Sequence, residues 1–169
     1  MGLVNKIIKS EEEAKEFSTF LFKDKMTKFD LLYQATRDGD EISDIIKKIE
    51  GYTPTMFLVY TKKGIKCGGY TKSLWKVDSK YKNVSESFLF NFNNKKIFNN
   101  KKSDESICCG SKYICFGNYG NSDYFIRNKF LTNKIFENIN KISYNSNNYD
   151  VQEEKNSEIY ELEIYKCNI

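Results

Sequence analysis

Phe29-Asp30-Leu31-Leu32-Tyr33-Gln34-Ala35-Thr36-Arg37-Asp38-Gly39-Asp40 is the stretch from which the rest of the chain can be ordered. Phe29, Leu31, Tyr33 and Ala35 recur every second residue, so the segment to Thr36 reads as a strand with those four side chains on one face. Arg37-Asp38-Gly39-Asp40 then reads as a turn, with Gly39 supplying a positive φ and Asp38 bonding the turn backbone. Beyond it Ile42, Ile45, Ile46 and Ile49 fall at i, i+3, i+4 and i+7, which is one face of an amphipathic helix. A strand, a tight turn and a helix within about twenty residues set a mixed α and β pattern.

On the N-terminal side, Ser10-Glu11-Glu12-Glu13 has the form of a capping box, and Ala14, Phe17 and Leu21 follow at helical spacing. A helix is expected from about Glu11 to Phe22. On the C-terminal side, Thr55 to Thr61 is β-branched and aromatic. Lys62-Lys63-Gly64 turns it into a second strand, Ile65 to Tyr70. Ser87 to Phe92 and Lys96 to Phe98 read as a further pair around Asn93-Asn94. Short strands are expected at Ser106 to Cys109, Tyr113 to Phe116 and Tyr124 to Arg127. Asn99 to Glu105 and Asn145 to Asn156 read as polar surface stretches. Glu158 to Lys166 alternates, with Tyr160, Leu162 and Ile164 assigned inward, and Glu161 and Glu163 to a solvated face. Several strands and two helices give an α+β fold. It is read as an antiparallel, two-layer β-sandwich-like core flanked by short helices, one domain over 1–169.

Composition narrows the chemistry. The 169 residues include 13 Phe and 12 Tyr, enough apolar surface for a real core, and only one Pro. There is no histidine, which removes Ser-His-Asp and Cys-His mechanisms and any imidazole-ligated metal site. Five cysteines, Cys67, Cys108, Cys109, Cys115 and Cys167, make an odd set without a CxxC, so reduced thiols of a cytosolic protein are expected, with no metal and no cofactor. The net charge of +4 is spread along the chain rather than clustered, so no nucleic-acid partner is expected. No segment approaches the roughly 20 apolar residues of a membrane span.

Four motifs recur in an order that carries a resemblance. They are the Phe29 to Asp40 segment, Thr53-Pro54-Thr55, and Gly68-Gly69-Tyr70-Thr71 with Leu74-Trp75. The fourth is Phe88-Leu89-Phe90 followed by Phe116-Gly117 and Asp123. Together with the last strand they resemble the TLDc family along nearly the full length, with the motif region spanning 29–166. Departures from the family pattern are Ile45-Ile46 and Ile49 on the short helix, Tyr113-Ile114 before Cys115, and Asn118-Tyr119-Gly120-Asn121-Ser122 in place of a glycine-rich run. The resemblance implies a β-sandwich-like domain linked to resistance to oxidative stress. It implies a protein partner, a vacuolar-type proton-pumping ATPase, and a cytoplasmic location peripheral to that membrane complex. It implies no catalytic residue.

The motif residues are Arg37, Asp38, Gly39, Gly68, Gly69, Tyr70, Trp75, Phe116, Gly117 and Asp123. Arg37 suits either an interface or an internal ion pair, and the ion pair is the commoner outcome beside a strand. Gly68-Gly69, at a strand end, lacks the following helix of a phosphate loop and points to close backbone approach. Trp75 is expected to anchor the core. Glu161 and Glu163 could form an acidic patch, and the cysteines are read as buried structural thiols. Three functions are carried forward: a protein-interaction module, a thiol-based or other enzymatic protectant against oxidants, and a structural subunit of a larger assembly.

Overall fold

The computed structural model describes residues 2–23, 27–82, 84, 86–100, 106–118, 121–132, 136–137 and 158–169. In chain order the elements are α1 (Glu11–Phe22), β1 (Lys28–Gln34), α2 (Ala35–Asp38), α3 (Ile42–Ile49), β2 (Thr55–Thr61), β3 (Lys66–Thr71) and β4 (Phe88–Asn91). There follow β5 (Lys96–Asn99), β6 (Ile107–Gly110), β7 (Tyr113–Asn118), β8 (Asn121–Arg127), β9 (Phe136–Glu137) and β10 (Ile159–Asn168). They build a six-stranded sheet, β1-β10-β2-β3-β4-β5, and a four-stranded sheet, β6-β7-β8-β9. Every pairing is antiparallel, as the α+β sandwich reading requires.

The last strand in sequence lies between β1 and β2, and this placement governs the fold. A strand inside a two-sided sheet must bury both faces. On one face Leu162 and Ile164 join Tyr33, Phe57, Val59, Trp75 and Phe116, together with Ile42, Ile45 and Ile49 of α3, in the core that the second sheet closes. On the other face Tyr165 and Cys167 join Phe29, Met56, Leu58 and Phe90 under α1 and the N-terminal residues Leu3, Ile7 and Ile8. Helix α1 begins as its sequence predicts, with Glu13 N donating to Ser10 Oγ at 3.1 Å. The Glu13 carboxylate reaches back one residue further than the box requires, to Lys9 N at 2.9 Å, and pairs with Lys66.

Several expectations change. The Phe29 face is not continuous, because a bulge between Leu31 and Tyr33 shifts the register against β10. Phe29 therefore packs under α1, and Tyr33 enters the opposite core. The strand stops at Gln34, and Arg37 and Asp38 lie on the single helical turn α2, which Gly39 ends at φ 106°. Gly68 and Gly69 stand inside β3, paired on both sides, rather than at its end. Glu161 and Glu163 are fully buried, whereas Tyr160 is 55 % exposed within a bulge at the start of β10. The polar stretches at 101–105 and 145–156, and residues 119–120 of the altered loop, lie outside the described residues.

Candidate functional site

The motif residues divide between two places in the fold. The first is the junction of β1, α2 and β10. Arg37 folds back on its neighbour, with Nε donating to Asp38 Oδ1 at 3.0 Å and Nη2 to Oδ2 at 2.6 Å. Asp38 also accepts from Gln34 N at 2.9 Å, and Lys48 of α3 stands 3.6 Å away. The bidentate guanidinium, chiefly, holds the Asp38 carboxyl down at about 2. Asp38 thus ties both ends of its helical turn, and the Arg37 ion pair is internal. The Tyr33 hydroxyl donates to the Gly39 carbonyl, which fixes the exit of the turn.

Directly behind this turn lie the two carboxylates that sequence reasoning assigned to solvent. Glu161 accepts from Thr36 N and from its own neighbour Leu162 N, both at 3.1 Å, and from the Thr36 hydroxyl. Glu163 accepts from Lys6 N and Gln34 Nε2, both at 3.0 Å, and from the Tyr165 hydroxyl at 2.7 Å. Lys6 Nζ stands 3.6 Å from Glu161 Oε2, so one N-terminal lysine engages one carboxylate through its backbone and the other through its side chain. Burial dominates at Glu163 and pushes its carboxyl above the usual range, against the pull of its donors. These carboxylates are occupied by donors from the N-terminal segment, β1, α2 and β10 itself. The arrangement fastens the ends of the chain to the middle of the sheet.

The second place is the core between the sheets. Trp75 is 3 % exposed and donates Nε1–H to Thr55 Oγ1 at 2.9 Å. Its ring lies 5.1 Å from Phe57 and 5.5 Å from Phe116, centroid to centroid. A Cβ on Gly69 would fall 2.7 Å from the Phe116 ring, and one on Gly68 would fall 1.9 Å from the Phe57 carbonyl oxygen. The two glycines let β2, β4 and the Phe116 ring approach where any side chain would collide. Gly117 takes φ 93° at a bulge between β7 and β8. Tyr70 points its function elsewhere: its ring stacks on Phe88 at 4.9 Å beneath α1. The side chain of Asp123 lies outside the described residues.

Motifs scattered over the chain thus converge on one sandwich, with the Arg37-Asp38-Gly39 turn at one edge and the Gly-Gly and Trp motifs interlocked in the core. The family model of the TLDc domain matches residues 3–168. The chain belongs to the TLDc domain family. Membership makes it an oxidative-stress-related domain. No curated protein matches the chain.

In this TLDc domain the cysteines are enclosed. All five are free and buried. Burial pushes the Cys109 and Cys167 thiols up to about 12, and Cys115 higher still. No group of His, Cys, Asp and Glu that could hold a metal occurs among the described residues, and none of their helices is long and apolar enough to cross a membrane. What the domain does present is the connection between β3 and β4, where Leu74, Val77 and Tyr81 are 40 %, 50 % and 38 % exposed. That connection is held to the edge strand β6 by Ser79 N to Cys109 O and Lys82 N to Ile107 O, both 3.0 Å. Its exposed apolar side chains therefore sit on a braced segment that also covers a sheet edge.

Proposed function

We propose that this TLDc domain works by binding another protein, with a vacuolar-type proton-pumping ATPase as the partner. In this reading it acts in the cytoplasm, peripheral to the membrane complex, and its contribution to oxidative-stress resistance runs through that contact. The observation that carries the proposal is the contrast between enclosed chemistry and presented apolar surface. The thiols and the paired carboxylates are buried, while Leu74, Val77 and Tyr81 project from a braced loop. Aromatic and apolar side chains on a rigid support are what interfaces select.

The thiol-protectant reading requires an exposed cysteine with a lowered pKa. Each cysteine is buried, and the resolved shifts run upward. The test is capture of ATPase subunits from a membrane extract by the tagged domain and by a Leu74→Asp/Val77→Asp variant. The wild type is expected to retain the subunits and the folded variant to lose them. Equal capture by both, or no subunit captured alongside cysteine-dependent peroxide turnover, would overturn the proposal.

A further inference from the structure

The connection between β3 and β4 carries charge as well as apolar surface. Over the whole chain 27 basic residues nearly balance 23 acidic ones, but residues 72–82 hold four lysines and a single acid, Asp78. Two of these lysines serve the fold. Lys72 pairs with Glu86, and Lys82 donates through Nζ to the Leu74 carbonyl at 3.0 Å. The second bond closes residues 74–82 into a compact loop whose ends meet. Lys76 and Lys80 are exposed on that loop.

The loop is also folded within itself. Asp78 N donates to the Lys76 carbonyl, and Lys80 N donates to Asp78 Oδ1, both at 3.0 Å. Ser79 turns the tip at φ 53°, and Trp75 plants the other end in the core. Lys82 pairs antiparallel with Ile107 and Ser79 N reaches Cys109 O, so the loop runs toward the turn between β6 and β7. Lys112 in that turn is exposed, as is Arg127, which stands opposite Tyr113 in the next strand. Leu74, Val77 and Tyr81 are therefore bordered by Lys76, Lys80, Lys112 and Arg127. Residues 74–82 and 107–118 together contain one acid, Asp78, and the Lys80 amide already engages it.

We infer that this loop docks an acidic segment of a partner protein, one whose apolar side chains meet Leu74, Val77 and Tyr81 while its Asp and Glu residues meet the surrounding cations. The inference rests on the protein-binding reading above and names the chemistry the partner must present. Apolar side chains supply the burial, and the charge around them selects what approaches. A nucleic acid answers the cations with phosphates but leaves Leu74 and Val77 against a polar backbone. A lipid bilayer takes the apolar side chains only by drawing the Asp78 carboxylate at the loop tip toward hydrocarbon. An acidic amphipathic protein segment satisfies both sets of groups and leaves Asp78 at the rim.

The test places the photo-reactive, apolar residue benzoylphenylalanine at Val77 of the full chain. The chain is irradiated in a membrane extract, and the cross-linked peptide is mapped by mass spectrometry. Cross-links are expected in a protein segment that alternates apolar residues with Asp and Glu. Lys76→Glu/Lys80→Glu is expected to lower their yield about tenfold at low salt and less at high salt, where screening weakens the attraction. Lys15→Glu/Lys63→Glu, on α1 and the β2–β3 turn, should leave the yield unchanged. All four replaced lysines are exposed, so the variants should keep the wild-type Tm, which confirms that folded proteins are compared. Cross-links to an acidic segment of some protein other than an ATPase subunit would support this inference and remove the ATPase from the reading above. ATPase subunits cross-linked through a neutral or basic segment, or at equal yield in Lys76→Glu/Lys80→Glu, would overturn this inference and leave that reading standing. Cross-links to lipid or nucleic acid alone, or none at all, would overturn both.

Discussion

Tyr165 donates its hydroxyl to Glu163 Oε2 at 2.7 Å from two residues along the same face of β10, beneath α1 and away from all solvent. A phenol and a carboxylate are thereby buried as a pair in the middle of a six-stranded sheet. Because Gln34 Nε2 and Lys6 N complete the set of donors to Glu163, the pair joins the last strand to β1 and to the N-terminal segment in a single network. Removing one member leaves the others buried without partners, which costs more than the bonds themselves are worth in water.

The first prediction is a pH dependence. The folded-state pKa of Glu163 is raised above its ordinary 4.5. The folded protein therefore holds this proton more tightly than the unfolded chain does. Its contribution is fully present below 4.5 and is lost as pH rises through the folded value. Glu163→Gln keeps the shape and can donate to the Tyr165 oxygen, so it should remove that loss. Urea unfolding of the two proteins across a pH series should give a difference curve that is flat below 4.5 and moves in favour of the variant above it. A flat curve throughout would show that the carboxylate is not perturbed. Glu163→Ala, which strands three donors, should cost about 3 kcal/mol.

Asp38 has the opposite sign. Its pKa is depressed from 3.8 to about 2, chiefly by the Arg37 guanidinium. Its stabilisation is present above 3.8 and is lost as pH falls toward 2. Asp38→Asn should therefore lower stability at neutral pH and shrink the gap from wild type near pH 2. Thermal melts at the two pH values check this, and an unchanged gap would contradict it.

How far the sequence reached is visible in three elements. Helix α3 was legible because four isoleucines at helical spacing face a single core, so periodicity and burial agree. The β2–β3 hairpin was legible because its turn residues are local. Strand β10 was misread in its burial, because alternation distinguishes faces but does not say that both are covered. Glu161 and Glu163 are tolerated inside only through donors at Lys6, Gln34 and Thr36, more than a hundred residues distant. The clue available in sequence was a pair of acids at alternate positions in an otherwise apolar terminal strand. Likewise the bulge after Leu31, which sends Phe29 and Tyr33 to opposite cores, is set by pairing with β10 and leaves no local signature.

The glycines separate two kinds of constraint. Gly68→Ala would place a methyl 1.9 Å from a backbone carbonyl that cannot yield, so a loss of about 3 kcal/mol or failure to fold is expected. Gly51 takes φ 81° but has open space around it, so Gly51→Ala should cost about 1 kcal/mol, from backbone strain alone. Gly39 at φ 106° combines strain with an added Cβ that would fall 2.5 Å from the Asp44 carboxylate, a flexible neighbour, and Gly39→Ala should fall between them. Chemical denaturation of the three variants gives the order, and a Gly68→Ala protein as stable as Gly51→Ala would refute it.

The last prediction separates binding from thiol chemistry. Cys108 and Cys115 face the outer side of the smaller sheet with Phe125, Cys67 and Cys109 face the core between the sheets, and Cys167 lies under α1. They are thus dispersed over three apolar clusters, and none is exposed. A thiol whose pKa is about 12, as at Cys109 and Cys167, holds almost no thiolate at neutral pH, and the thiolate is the species that reacts with peroxide or disulfides. The native domain should therefore show no rapid reaction with an aromatic disulfide reagent, and all five thiols should react once it is unfolded in guanidinium. Single Cys→Ala variants should lose on the order of 1 kcal/mol from packing yet keep partner capture wherever they remain folded. Peroxide consumption should stay at the buffer rate in every variant. A stoichiometric fast thiol in the native protein, with peroxide turnover that disappears when that cysteine is replaced, would reassign the domain from an interaction module to a thiol-dependent protectant.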